Sequence, residues 1–108
     1  MISNEPQSIV AAIMAKHRAL VVLRLLNDEE ANGSINEAVL SDLLDTQALG
    51  CSRARLHACL RFLEQSALIT TTLVGELVVA HVTREGNEVA CGRVGAPGVQ
   101  PFTPSCLY

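Results

Sequence analysis

From position 8 to 27 the chain reads SIVAAIMAKHRALVVLRLLN, with no glycine or proline. A stretch this long without a breaker predicts one long helix. Its apolar residues do not make a single narrow stripe. Ile9, Ile13, Leu20 and Leu23 share one face at 3.6 residues per turn, and Val10, Met14, Val21 and Leu25 form a second. A helix apolar on more than one side is buried on more than one side. The chain has 108 residues, enough for one domain. Its last part does not look foldable, which leaves a core of about 90 residues. Domains that small often gain stability by oligomerising. The expectation is a homodimer joined through the first helix, with Val10, Met14, Val21 and Leu25 at the interface.

Hydrophobic residues make up 49 % of the chain and aromatic residues only 3 %. The core must therefore be built from Leu, Val, Ile and Ala. No apolar run reaches the ~18 residues that a membrane span needs. The opening MISNEPQSIV has no basic stretch before an apolar block, so it does not read as a signal peptide. Cys51, Cys59, Cys91 and Cys106 show no CxxC spacing, and they read as reduced thiols of a cytoplasmic chain. The formal net charge of −3 weighs against nucleic acid as a partner, although the charges are unevenly spread.

After the first helix, residues 28–33 (DEEANG) form a polar turn. Ser34 and Glu37 then have the spacing of a capping box. The Ser34 hydroxyl would accept from the Glu37 N–H, and the Glu37 carboxylate would reach back to the Ser34 N–H. The second helix would carry Ile35, Val39, Leu40, Leu43 and Leu44 to about Ala48, with Gly50 as the left-handed residue past its end. Ser52 would cap a third helix, RARLHACLRFLEQ, with Leu56, Leu60 and Leu63 inward and Cys59 beside them. From Leu68 the period changes to that of strands. LITTTL and LVVAHV flank a Val74-Gly75-Glu76 turn and predict a hairpin. Thr83 would cap a short last helix stopped by Gly92. Three prolines and two glycines between Arg93 and Pro104 argue against further helix or central strand. The expected division is a flexible lead over residues 1–7, a folded domain over 8–92 and an extended or disordered tail over 93–108.

This order resembles that of winged-helix domains, so the expected fold class is mainly α with a small β-hairpin, a winged helix-turn-helix. Gly50-Cys51-Ser52-Arg53, Leu60-Arg61-Phe62-Leu63-Glu64 and Leu68-Ile69 are similar to the recognition helix and first wing strand of bacterial winged-helix regulators. His81 to Ala90 resembles their leucine-threonine-x-x-glycine-x-x-x-alanine ending, with Val82 in the leucine position. Together with Ala90-Cys91-Gly92-Arg93 and Pro97-Gly98-Val99, the chain is similar to small ArsR-like winged-helix proteins of Mu-like phages and prophages. The resemblance implies a DNA-binding protein.

With its leucines inward, the third helix would face outward with Ala54, Ala58, Arg61 and Gln65. Arg55 and Phe62 would flank that face on one side and His57 on the other. Alanines let a backbone approach a groove, and Arg and Gln can contact bases or phosphates. Ser52, Arg53 and the first N–H groups of the helix could meet a phosphate. The candidate DNA-binding residues are therefore Ser52, Arg53, Ala54, Arg55, His57, Ala58, Arg61 and Gln65. The hairpin points the other way: residues 70–76 hold no Lys or Arg, and Glu76 sits at the tip.

No metal site is expected. Cys51 and Cys59 would lie about 12 Å apart along a helix axis, too far for one ion with bonds near 2.3 Å. His17, His57 and His81 fall on separate elements, and no spacing suggests a catalytic triad or a cofactor cradle. The chain reads as a non-enzyme without cofactors. Two functions follow. One is a dimeric transcriptional regulator bound to duplex DNA. The other is a winged-helix protein-interaction module, such as a phage accessory or assembly factor, without DNA affinity.

Overall fold

A computed structural model describes residues 6–105. It contains α1 (Pro6–Leu26), β1 (Ser34–Asn36), α2 (Glu37–Thr46), α3 (Arg53–Gln65), β2 (Ile69–Val74), β3 (Leu77–Val82) and α4 (Arg84–Ala90). The fold is a small α+β arrangement of four helices and a three-stranded antiparallel sheet in the order β1-β3-β2.

The long helix forms, and it starts two residues before the expected position, at Pro6. A proline suits the first helical turn, where its missing N–H has no partner to lose. The rest of the expected flexible lead, residues 1–5, lies outside the described residues. The second half of α1 is the axis of the core: Ala19, Leu20, Val21, Val22, Leu23 and Leu26 are all buried. Leu40 and Leu44 of α2 join them, as do Leu56, Leu60 and Leu63 of α3, Ile69, Ala80, and Val89 and Ala90 of α4. The inward leucine stripe of α3 is the one expected.

The sheet corrects the expectation of a lone hairpin. The hairpin forms, with Ile69 opposite Val82 and Val74 opposite Leu77 around a two-residue Gly75-Glu76 turn. Gly75 supplies its positive φ of 63°. A third strand, β1, pairs with β3 through Ser34↔His81, Ile35↔Ala80 and Asn36↔Val79. Ser34 is therefore a strand residue and no capping box forms. Asn36 caps α2 instead, its side chain accepting from the Val39 N–H at 3.0 Å. Ser52 and Thr83 cap α3 and α4 as expected, accepting from Arg55 and Gly86.

Helix α2 ends at Thr46, and the left-handed residue after it is Ala48 (φ 58°), not Gly50. Gly50 is needed for space: a Cβ there would run into the Asp45 carboxylate. Gly86 has the same kind of role, since a Cβ would collide with the Leu68 carbonyl. That close approach seats the start of α4 against the link between α3 and β2, and the Thr83 hydroxyl donating to the Ala67 carbonyl at 2.8 Å fixes it.

Residues 93–105 form turns without helix or strand, mostly exposed, and some of the tail's side chains meet the core. Val99 is buried, and Phe102 packs on the core under the Arg24 guanidinium, 3.8 Å from the ring centre. The Gln100 N–H donates to the Lys16 carbonyl at 3.1 Å, tying the tail to α1. Cys106 and Leu107 lie outside the described residues.

Candidate nucleic-acid interface

Helix α3 presents the outward face that its leucine spacing implies. Ala54, Arg55, Ala58, Arg61 and Gln65 are all exposed, as are Ser52 and Arg53. His57 is half-buried. The eight candidate residues thus share one helix and its cap, but they do not share one environment.

Arg53 and His57 belong to a buried polar knot whose centre the sequence does not reveal. Glu37, at the start of α2, is 4 % exposed. Its carboxylate accepts from Arg53 Nε at 2.8 Å and Arg53 Nη2 at 3.3 Å, from His57 Nε2 at 2.8 Å, and from the Val78 N–H at 2.6 Å. Arg53 also donates to the Glu76 carbonyl at 2.9 Å. One carboxylate thereby joins α2, α3 and β3, and it places the hairpin tip beside α3. Arg53 holds the Glu37 carboxyl at about 2, well below the usual carboxylate range. The Val78 N–H and His57 act in the same direction, while burial opposes them. In the sequence Glu37 has the spacing of a capping residue, three positions after a serine. Its true setting depends on β1 forming, which no local pattern announces.

Arg55 and Arg61 are different. Among the described residues neither has a carboxylate within salt-bridge distance, and neither has a side-chain hydrogen bond. Glu64, the one acid on α3, turns to β2 and accepts from the Thr71 N–H and hydroxyl at 3.3 and 3.1 Å. The outward face of α3 is therefore cationic, with its single carboxylate directed to the sheet. Beyond it, apolar residues flank the Gly75-Glu76 tip of the hairpin: Leu73, Val74 and Leu77 are 69, 63 and 37 % exposed.

Ser34 Oγ and His81 Nδ1 lie 2.6 Å apart, and Thr72 Oγ1 lies 2.9 Å from His81 Nε2. Both partners come from strands flanking β3, so His81 ties the sheet across its width. Among the described residues no carboxylate is within salt-bridge distance of the ring. Among the described residues no three His, Cys, Asp or Glu side chains could hold a metal ion together. No described helix is long and apolar enough to cross a membrane.

The expected dimer stripe is not one surface. Val21 lies in the chain's own core, and Leu25 and Met14 are partly buried against it. Only Val10 stays open, at 54 %, in company with Ile9 at 56 % and Ile13 at 52 %. The second stripe is thus covered from Met14 onward and bare at Val10.

No family model matches the chain, and no solved structure does. Among known proteins it is similar to the uncharacterized protein gp26 of Escherichia phage Mu. The two are 33 % identical over 92 residues, covering 85 % of this chain and 94 % of the relative.

Proposed function

The chain belongs to the family of gp26 of Escherichia phage Mu, and we propose that it is a winged-helix DNA-binding protein of phage or prophage origin. In this reading α2 and α3 are the helix-turn-helix, β2 and β3 are the wing, and α3 enters the major groove. The element order supports it, as does a short strand before the helix pair that pairs with the second strand of the hairpin. The observation that carries it is the free cationic strip on α3. Arg55 and Arg61 are exposed and, among the described residues, claimed by no carboxylate, and Ala54 and Ala58 beside them allow close approach to a groove. Arg53 acts from the side, held by Glu37, as a phosphate-facing residue at the helix start.

Two copies would present two such helices to grooves one helical turn of DNA apart, about 34 Å. The exposed Ile9, Val10 and Ile13 at the start of α1 are the apolar surface that could join them. This makes a dimeric transcriptional regulator the specific form of the proposal.

A second reading is favoured by one observation, the cation-free hairpin tip with its exposed apolar flanks. A wing that grips DNA normally offers a cation to the backbone. Under this reading the fold is a protein-interaction module and Leu73, Val74 and Leu77 meet a partner. Amide chemical shifts of the labelled protein, titrated with a short duplex at low salt, distinguish the two. The DNA reading expects shifts along α3 around Arg55 and Arg61. An unchanged spectrum contradicts it and leaves the protein-interaction reading.

A further inference from the structure

Between the first half of α1 and the outer flank of α3 lies an open cleft of about 500 Å³. Its walls are apolar and small: Ala11 and Ala15 from α1, Ala58 and the ring of Phe62 from α3. The tail closes one end. Gly98, at φ 81°, passes so near Phe62 that a Cβ would stand 2.6 Å from the ring. The residues that look unfoldable in the sequence therefore help to build this cleft.

Its polar lining is all of one sign. Lys16, Arg18 and Arg55 border the cleft, and among the described residues no Asp or Glu does. Arg18 is the unusual member. It is 4 % exposed, its Nε donates to the Leu49 carbonyl at 2.9 Å, and among the described residues no carboxylate lies within salt-bridge distance. A buried guanidinium without a counter-charge is costly, and groups so placed are ordinarily paired. The neighbouring Cys59 thiol does not supply the charge, because burial pushes it up to about 11 and keeps it neutral. The volume lies in the range usual for small-molecule sites, roughly 300–1,000 Å³.

We propose that this cleft binds a small organic anion with an apolar body, of the aryl-carboxylate class. The carboxylate is held by Arg18 with Lys16 and Arg55, a planar guanidinium being suited to a two-oxygen acceptor. The ring lies against Phe62 and the alanines. Charge complementarity selects the anion, and the apolar walls select the body.

The test is calorimetric titration of the full chain with 2-naphthoate, against neutral 2-naphthylmethanol and against inorganic phosphate. Expected is saturable binding of one naphthoate per chain, with the alcohol and phosphate each at least about tenfold weaker. Arg18→Met should abolish the preference for the acid over the alcohol. Ala58→Phe, at an exposed position, should fill the cleft and remove binding of both. If circular dichroism shows that Arg18→Met does not fold, Ala58→Phe and the exposed Lys16→Met carry the test. The proposal is overturned if naphthoate gives no saturable heat up to about 1 mM. It is also overturned if the alcohol or phosphate binds as well as the acid, or if Ala58→Phe leaves binding unchanged. No DNA is present, so the result is independent of the proposed DNA reading.

Discussion

Arg53 and Arg61 stand about two turns apart on α3, and the molecule uses them differently. Arg53, although its side chain is largely exposed, is clamped by the buried Glu37 and by the Glu76 carbonyl, so the fold already neutralises part of its charge. Arg61, like Arg55, has no carboxylate partner among the described residues. In the sequence the three arginines look alike. What separates them is a carboxylate sixteen positions before Arg53, brought alongside by the short strand β1. Of several cations on one helix, those that the fold neutralises hold it together, and those left over are available to a ligand.

The largest expected effect sharpens the inner side of this comparison. Leu60→Ala, at a buried position in the α3 stripe, should cost about 2–5 kcal/mol in urea unfolding. A loss below about 1 kcal/mol would mean that α3 is turned differently. Next is the knot. Glu37→Ala should cost about 1–3 kcal/mol, since the Val78 N–H and two side chains lose their acceptor. Because the Glu37 carboxyl lies lower in the folded state than its ordinary 4.5, its contribution is complete above about 4.5. It fades as pH falls toward about 2. Urea unfolding between those pH values should show this slope in wild type and lose it in Glu37→Gln.

Smaller effects break the comparison if they fail. Arg61→Ala or Arg55→Ala should weaken duplex binding by about 1–3 kcal/mol where the side chain contacts a base. Folding stability should change by no more than about 0.5 kcal/mol. Arg53→Ala should instead lower stability as well, because it opens the knot. An Arg61 variant that unfolds, or an Arg53 variant that loses only DNA affinity, would reverse the roles assigned here. The smallest effect concerns the hairpin tip. Glu76→Lys should strengthen non-specific DNA binding by less than about 1 kcal/mol, by placing a cation near the phosphate backbone. Unchanged affinity in a salt titration would place the tip away from DNA.

The helices were legible because their signals are local: the unbroken run to Asn27, Ser52 and Thr83 as caps, and the Leu56-Leu60-Leu63 stripe. The hairpin was legible from its period. What escaped depends on partners distant in sequence. β1 is only three residues long and exists because β3 offers it an edge. The apolar pattern of α1 cannot say that Val21 meets the chain's own core while Val10 stays bare. The tail has no periodicity, and yet Val99 and Phe102 find the space beside α1. On the candidate interface, the residue types of α3 were readable, but the division between Arg53 and Arg61 was not. That division is made by Glu37, whose local pattern pointed to a cap.

The central claim is that the cations α3 leaves unpaired are there for a polyanion. The most direct measurement is fluorescence anisotropy of a labelled duplex titrated with the wild-type chain across a salt series. Binding should weaken linearly on a logarithmic salt scale, as expected when cations displace counterions from phosphates. Each of Arg55→Ala and Arg61→Ala should flatten the slope by about one if the residue contacts only phosphate, with circular dichroism unchanged. Wild-type protein that shows no salt-sensitive binding even at low ionic strength would contradict the claim.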